Sequence, residues 1–455
     1  MRLLVQTQLS NINYQHNKFD LACDSGWQMV LGRVREMLRL NPDLQIDVMG
    51  PRVFGVYDEN ASQVVQKPSE VNPDLDWHYL YAYVDPTKEN RGRLNYIGHK
   101  IVPNALATRY DCDFEMLGKI IGIPNHKAHP ELKYDAVYVN DPMQLRNLKA
   151  MFYLYGGYQP RFYVHSHFVD VPEVPKFPQE CSLWLGQCEA ALRADYNFWQ
   201  CESSMLQFQD SMGKWFTQDV VDDVRAKSMP WDDGYSSGEI SMLVDQSNVR
   251  FTSDEWHAKT NGKCVLFFPN RISPSSGDYT NGMKFMFEVL PKLRERRQDF
   301  VVVCGNPNFK FSNKELEEKC GANGYIKLTD DTLNRDEYKY VGTNSDLALG
   351  LYNVDPYGGT AARELVELGC MPVWLDNYEY ASLAREARVE KYVLGKPDLS
   401  DLVDLLDRSI GRVMCASREQ TRKDINESLL KVVRARCSYE STTPAAMRRM
   451  GLLTA

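Results

Sequence analysis

The residues in this 455-residue chain whose types and spacing best suit chemistry lie between Asp355 and Trp374. An acid, Asp355, precedes the double glycine Gly358-Gly359. A helix is predicted from Gly359-Thr360, with Glu364 one turn in, and Gly369-Cys370-Met371-Pro372 then leads into a short apolar strand. The first amides of a helix lack partners within it and sit at the positive end of its dipole, so this turn suits a phosphate. Glu364 is placed to receive hydroxyls of whatever carries that phosphate. Two cations lie upstream in the same half. Arg271 follows the predicted strand Lys263–Phe268 through Pro269-Asn270, and Lys284 opens the next predicted helix. Held at strand and helix ends, they can stabilise a departing diphosphate without a metal. Gly305, after Val301-Val302-Val303-Cys304, ends a central strand with a small residue near the same ligand.

The order acid…Glu-x4-Gly then Pro resembles the signature of retaining GT-B glycosyltransferases, the glycogen synthase and mannosyltransferase-like (family 4-like) group. Asp355 stands where that group usually has Glu, the gap to Glu364 is one residue longer, and Pro372 falls one place later. The resemblance implies that Asp355 holds hydroxyls of the transferred sugar and Glu364 the ribose. It implies that Gly358, Gly359 and Thr360 hold the diphosphate, with Arg271 and Lys284 beside it. Tyr163-Val164-His165-Ser166-His167 puts a histidine at the end of a predicted strand, where family members have one that touches the sugar near its reacting carbon. His165 is the first choice; His167 is the second and is assigned to the acceptor side. Gly26, ahead of the first long helix, lets the backbone approach closely; the family has a glycine turn here facing the diphosphate or the acceptor. The implied reaction is front-face transfer with retention, using a nucleotide-diphosphate sugar as co-substrate, with no tightly bound cofactor and no metal.

The elements that must position these residues alternate between strand and helix. In the C-terminal half, Lys263–Phe268, Phe300–Cys304, Asp346–Leu351 and Met371–Leu375 read as strands, with helices near 281–297, 313–320, 335–341, 359–368 and 398–416. Short continuous apolar strands between amphipathic helices indicate a parallel sheet covered on both faces. The N-terminal half is similar but less regular, with strands at 2–7, 46–49, 78–84, 136–140 and 161–165 and helices at 25–40, 114–121, 142–155 and 178–194. The expected fold class is α/β, GT-B: two Rossmann-like doubly wound domains facing each other across a cleft, with ligands beyond the C-terminal strand ends. The polar stretch 248–262 marks the boundary. Domains of 1–250 (acceptor) and 251–425 (donor) follow, with a helical segment 426–455 expected to pack back toward the first.

Charged residues make up 25% and hydrophobic ones 43%, which excludes a disordered chain. No apolar run long enough to span a bilayer occurs, and Met1–Gln6 runs into a strand without the apolar core of a signal peptide. A cytoplasmic location, in the host if phage-encoded, and no membrane partner are expected. The eleven cysteines have no paired spacing and read as reduced, mostly buried thiols. Asp74-Leu75-Asp76 and Asp111-Cys112-Asp113 read as structural rather than metal-binding, the second as a helix start.

For the acceptor, the basic segment 88–100 stands out. It contains Arg91, Arg93 and Lys100 with an aromatic, and reads as a mobile loop suited to phosphates and base stacking. The N-terminal half is similar in style to bacteriophage enzymes that glycosylate hydroxymethylated pyrimidines. Double-stranded DNA is therefore the expected acceptor, its target base leaving the stack. A soluble glycan or small molecule is the alternative. A sugar-nucleotide epimerase or hydrolase, and a non-catalytic sugar-nucleotide-binding module, stand as readings from other classes.

Overall fold

A computed structural model describes residues 1–7, 25–50, 53–58, 63–66, 93–97, 105–107, 114–121, 133–167, 169, 181–271, 282, 284–306, 313–330, 332–351, 359–415 and 418–453. By its contacts the chain divides into two units, Met1–Asp233 with Thr442–Ala455, and Gly234–Ser441.

Among the described residues the first unit has ten strands: β1 (Arg2–Gln6), β2 (Gln45–Met49), β3 (Val53–Asp58), β4 (Gln63–Gln66), β5 (Leu94–Ile97), β6 (Ala105–Ala107), β7 (Ala136–Val139), β8 (Arg161–Ser166), β9 (Tyr196–Trp199) and β10 (Ser228–Pro230). Seven form one sheet in the order β10-β9-β8-β7-β1-β2-β5, every pairing parallel. Leu3, Leu4 and Val5 are all buried, as strands covered on both faces must be. β3, β4 and β6 form a separate antiparallel sheet. In the main sheet the order turns back between β1 and β7. That is a topological switch point, beyond whose C-terminal strand ends open α/β sheets bind their ligands.

The second unit carries β11 (Cys264–Arg271), β12 (Phe300–Asn306), β13 (Leu347–Gly350), β14 (Met371–Leu375) and β15 (Leu394–Gly395), again all parallel, in the order β12-β11-β13-β14-β15. Its switch point lies between β11 and β13. Its core includes Leu266, Phe268, Val302, Leu349 and Trp374, all fully buried.

Several expectations need correction. Within segment 88–100, read as a mobile loop, Leu94–Ile97 forms a strand paired along β2, and Leu94 is fully buried. Apolar pairing outweighs the turn signals of Gly92 and Gly98. The stretch 248–262, read as an interdomain boundary, contains the helix Ser253–Thr260, opened by a capping box between Thr252 and Glu255. The units part instead between Asp233 and Gly234. Of the C-terminal segment, the helix Arg418–Cys437 stays with the second unit. Residues 442–455 belong to the first, where Ala446, Met447, Met450 and Leu452 are buried among Leu3, Val5 and Val30. The predicted strand 78–84 lies outside the described residues.

Of the eight described cysteines, all but Cys415 are buried, as reduced thiols should be.

Candidate active site

The topology of the second unit gathers the sequence-predicted donor residues at one end. Arg271 ends β11 and Asn306 ends β12 beside it, their register shifting after Phe268. Gly305 precedes Asn306; a Cβ there would come 3.0 Å from the Phe267 ring, so a larger residue would press on that ring. Lys284 stands at the head of the turn Phe285–Val289, a wide i→i+5 turn of a kind concentrated at functional sites. β13 leads to Gly359, Thr360 and the helix Ala361–Glu367. Arg271, Lys284, Gly305, Gly359, Thr360 and Glu364 thus all lie at the C-terminal strand ends flanking the switch point. Asp355 and Gly358 lie outside the described residues, as does the Arg271 side chain.

The turn into that helix is held from two sides. Gly359 has φ +88°, a left-handed conformation that a side chain resists. Its carbonyl accepts from the Tyr380 hydroxyl at 3.1 Å, and the Ala361 carbonyl accepts from Tyr338 at 2.8 Å. Tyr380 is itself braced by stacking on Trp374 of β14, centroids 4.5 Å apart. Tyr338 comes from the helix Arg335–Thr343, whose Asn334–Glu337 capping box sets its start. The first residue of that helix, Arg335, reaches Glu364 and pairs with both carboxylate oxygens, at 2.7 and 3.1 Å. It also bonds Glu239 at 3.1 Å. Glu364 is about nine-tenths buried, so this pair orients its carboxylate firmly. The sequence singled out Glu364 but not Arg335, which sits 29 residues earlier behind an ordinary helix cap.

In the first unit, His165 lies near the C-terminal end of β8 and His167 just beyond it, at the same C-terminal sheet edge as Trp231, Asp232 and Asp233 beyond β10. Arg33, from the helix Ser25–Leu40, enters this edge and is fully buried. Its Nη1 donates to the Tyr138 hydroxyl at 2.9 Å. Its Nη2 faces the carbonyls of Trp231 (2.9 Å) and Asp232 (2.8 Å) and Asp233 Oδ1 (2.5 Å). The guanidinium also lies over the Trp231 ring, 4.7 Å from its centroid. His165 Nε2 sits 3.1 Å from the Trp231 carbonyl and 3.2 Å from Asp233 Oδ1, and its ring is fully buried. Burial and the nearby Arg33 push the His165 pKa down to about 3, so it is neutral at physiological pH. Burial alone would raise the Asp233 carboxyl, but the Arg33 charge and the hydrogen bond from His167 hold it well below the usual carboxylate range. His167 Nδ1 bonds Asp233 Oδ2, and the His167 side chain keeps 14% of its surface exposed. Of the two predicted histidines, His165 is fully buried and His167 is partly exposed.

Gly26 lies in the first turn of the helix Ser25–Leu40. Of the acceptor cations, Arg91 and Lys100 lie outside the described residues. Arg93 Nη2 donates to the carbonyls of Leu38 (2.9 Å) and Asn41 (2.7 Å), where it closes the C-terminal end of that helix. Asp74, Asp76, Asp111 and Asp113 also lie outside the described residues; the helix Phe114–Ile121 begins directly after Asp113.

No protein-family model matches the sequence, and no curated protein matches it. Solved structures do. HepE of Anabaena in complex with UDP is 11% identical with a TM-score of 0.60, over 99% of this chain and 100% of that one. The trehalose-6-phosphate synthase OtsA is 13% identical with a TM-score of 0.57, over all of both chains. The UDP-forming α,α-trehalose-phosphate synthase of Burkholderia xenovorans, in complex with glucose-6-phosphate, is 12% identical with a TM-score of 0.60, over 99% of each. At such identities the likeness carries the fold. This chain has the GT-B architecture, two Rossmann-like α/β units.

Proposed function

We propose that the chain is a glycosyltransferase that moves a sugar from a nucleoside-diphosphate sugar to an acceptor hydroxyl. The observation that carries this reading is the bidentate Arg335–Glu364 pair at the β11/β13 switch point, on the same strand ends as Arg271, Lys284 and the Gly359 turn. A carboxylate has lone pairs to spare beyond two guanidinium bonds, so Glu364 can also receive both ribose hydroxyls. Arg271, Lys284 and the backbone near Gly359 then take the diphosphate, and Asp355 the hydroxyls of the transferred sugar. Support comes from the GT-B fold and from the UDP and UDP-glucose complexes of HepE, which shares it.

In this reading the bond from the anomeric carbon to the diphosphate oxygen breaks, and the acceptor oxygen bonds the same face. The acceptor proton passes to the departing phosphate oxygen. Configuration is retained, and cationic side chains rather than a metal offset the growing phosphate charge.

For the acceptor, we favour a soluble hydroxylated molecule over a hydroxymethylated pyrimidine in DNA. The DNA reading rests on the segment 88–100, where Arg93 is committed to a helix end and Leu94–Ile97 to the sheet. The solved structure with glucose-6-phosphate points the same way.

The test is incubation with pooled nucleotide sugars and three acceptor sets: sugar phosphates, oligosaccharides and hydroxymethylated DNA. Products are read by mass spectrometry with and without EDTA, and the anomer by NMR. A mass shift on an acceptor supports transfer. Free sugar alone means hydrolysis, an isomeric nucleotide sugar means epimerisation, and tight binding without turnover means a binding module. Loss of turnover in EDTA would remove the metal-free mechanism.

A further inference from the structure

Glu364 and Glu367 stand one turn apart on the helix Ala361–Glu367. An acid at the last position of a helix faces the negative end of its dipole, and the Glu367 side chain is only 1% exposed. Its charge is therefore unfavourable on both counts unless donors surround it. They do. Arg434, of the helix Arg418–Cys437, donates from Nε to both carboxylate oxygens, at 3.0 and 2.9 Å, and its Nη2 also bonds Oε1. The Tyr235 hydroxyl donates to Oε2 at 3.0 Å and the Ser241 hydroxyl to Oε1 at 3.3 Å. Burial alone would raise the Glu367 carboxyl; Arg434 and Tyr235 hold it below its usual range. Tyr235 and Ser241 flank the short helix Ser237–Ile240, whose Glu239 bonds Arg335, the partner of Glu364. Arg335 and Glu239 are each more than two-fifths exposed, so that second link is weak and the buried Glu367 carries the constraint. The segment 235–241 is itself firmly seated. The Tyr235 N–H donates to the Cys437 carbonyl at 3.3 Å, and its carbonyl accepts from the Tyr439 N–H at 2.9 Å. Glu440 accepts from the Ser236 hydroxyl (2.8 Å) and from the Ser237 (3.2 Å) and Gly238 (3.1 Å) amides. A Cβ on Gly234 would come 1.5 Å from the Cys437 carbonyl oxygen, so the seat has no room for a side chain there.

We propose that Glu367 is a positioning residue for Glu364 and that, held by Arg434 and Tyr235, it sets how well ribose is told from deoxyribose. A helix of seven residues has too few internal hydrogen bonds to fix its own place. Tyr338 anchors its start through the Ala361 carbonyl, and Glu367 anchors its end. Released at that end, the helix turns and slides about its start, and the Glu364 carboxylate moves with it. The two hydroxyls of a ribose need both oxygens of that carboxylate at fixed positions. The base and the diphosphate do not use them. Glu367 touches no ligand in this role; it acts through the placement of Glu364. The inference rests on the transferase reading, in which Glu364 receives a ribose, and it adds the residues that make that reception selective.

The experiment is calorimetric titration of the full chain with UDP, ADP and GDP, each beside its 2′-deoxy form. For the base that binds, the quantity read is the ratio of ribose to deoxyribose affinity. Glu367→Gln should lower that ratio from about tenfold to under about threefold, with the loss confined to the ribose form. Arg434→Gln should act in the same direction, and Arg434→Lys should restore part of the ratio. In a Glu364→Gln background, Glu367→Gln should cost nothing further, because both act through one carboxylate. Tyr235→Phe removes one hydrogen bond and leaves the Glu367–Arg434 pair in place. It should lower the ratio about twofold and supplies the test if Glu367→Gln does not fold. A Glu367 that only stabilises the fold would lower the melting temperature and leave the ratio at its wild-type value. That result, equal weakening of the ribose and deoxyribose forms, or losses fully additive with Glu364→Gln would each overturn the proposal and leave the transferase reading standing. Wild-type protein that binds none of the diphosphates, or binds both forms equally, defeats the ribose role of Glu364 itself, and the role of Glu367 with it.

Discussion

Arg335 and Glu364 meet through two parallel hydrogen bonds, 2.7 Å from Nη2 to Oε1 and 3.1 Å from Nη1 to Oε2, so a residue that opens one helix orients the carboxylate of the next. If that carboxylate receives ribose hydroxyls, affinity should separate ribose from deoxyribose. Wild-type protein should bind a nucleoside diphosphate at least about tenfold more tightly than its 2′-deoxy form, a difference of about 1.4 kcal/mol. Glu364→Gln should erase most of that preference, and Arg335→Gln should weaken both ligands by releasing the carboxylate from its orientation. Calorimetric titration measures both effects. Equal affinities for the two wild-type ligands remove Glu364 from the ribose.

The turn at Gly359 makes a separate claim. With φ at +88°, an added Cβ is strained by about 1–2 kcal/mol, and the Tyr380 and Tyr338 hydrogen bonds prevent the turn from relaxing. Gly359→Ala should therefore lower thermal stability by several degrees, and it should weaken diphosphate binding more than nucleoside binding. Tyr338→Phe, which removes one anchor of the same turn, should cost about 1 kcal/mol. Differential scanning and titration with nucleoside against nucleoside diphosphate separate the two effects.

Arg93 distinguishes the acceptor readings. Its guanidinium caps the carbonyls of Leu38 and Asn41. Arg93→Gln should lower stability by about 1 kcal/mol and leave the salt dependence of any DNA binding unchanged. A salt slope that falls by about one unit would restore Arg93 to a nucleic-acid contact.

Both parallel sheets could be read largely from sequence because their strands are buried on both faces and stand out as continuous apolar runs. β14 was expected at Met371–Leu375 and is found there, and the helices Ser25–Leu40 and Phe114–Ile121 match the expected ranges. β9 and β10 are short and flanked by long helices, and their four and three residues give periodicity too little to work with. The helix Ser253–Thr260 was legible in principle, since Thr252 and Glu255 spell a capping box, but its polar exterior reads as a linker. Glu364 could be singled out because its chemistry lies within one local motif. Arg33 and Asp233 could not. They are 200 residues apart, each looks ordinary in its own window, and only the closure of the parallel sheet brings them to 2.5 Å.

The same buried network predicts how the protein fails in acid. His165 is neutral in the folded state, its pKa carried from the usual 6.5 down to about 3, first by burial and then by Arg33. An unfolded chain takes up a proton on this ring as the pH drops through 6.5, and the folded chain does not. Folding stability therefore falls with pH below 6.5, by up to about 1.4 kcal/mol per pH unit from this one group, and the loss levels off near pH 3. Asp233 acts in the same direction. Its folded pKa is depressed, so the stability it confers is present above the ordinary carboxylate range and is lost as the pH falls through and below it. His165→Gln should lower stability at pH 7 by about 1 kcal/mol through its contact with the Trp231 carbonyl. Between pH 6.5 and 4.5 it should flatten the decline by close to one proton. Urea unfolding of both proteins at half-unit pH steps reads the slopes directly. Parallel curves would mean that the His165 ring already carries its proton in the folded state, and the charge balance drawn here for Arg33, Asp233 and His167 would have to be redrawn with one more cation.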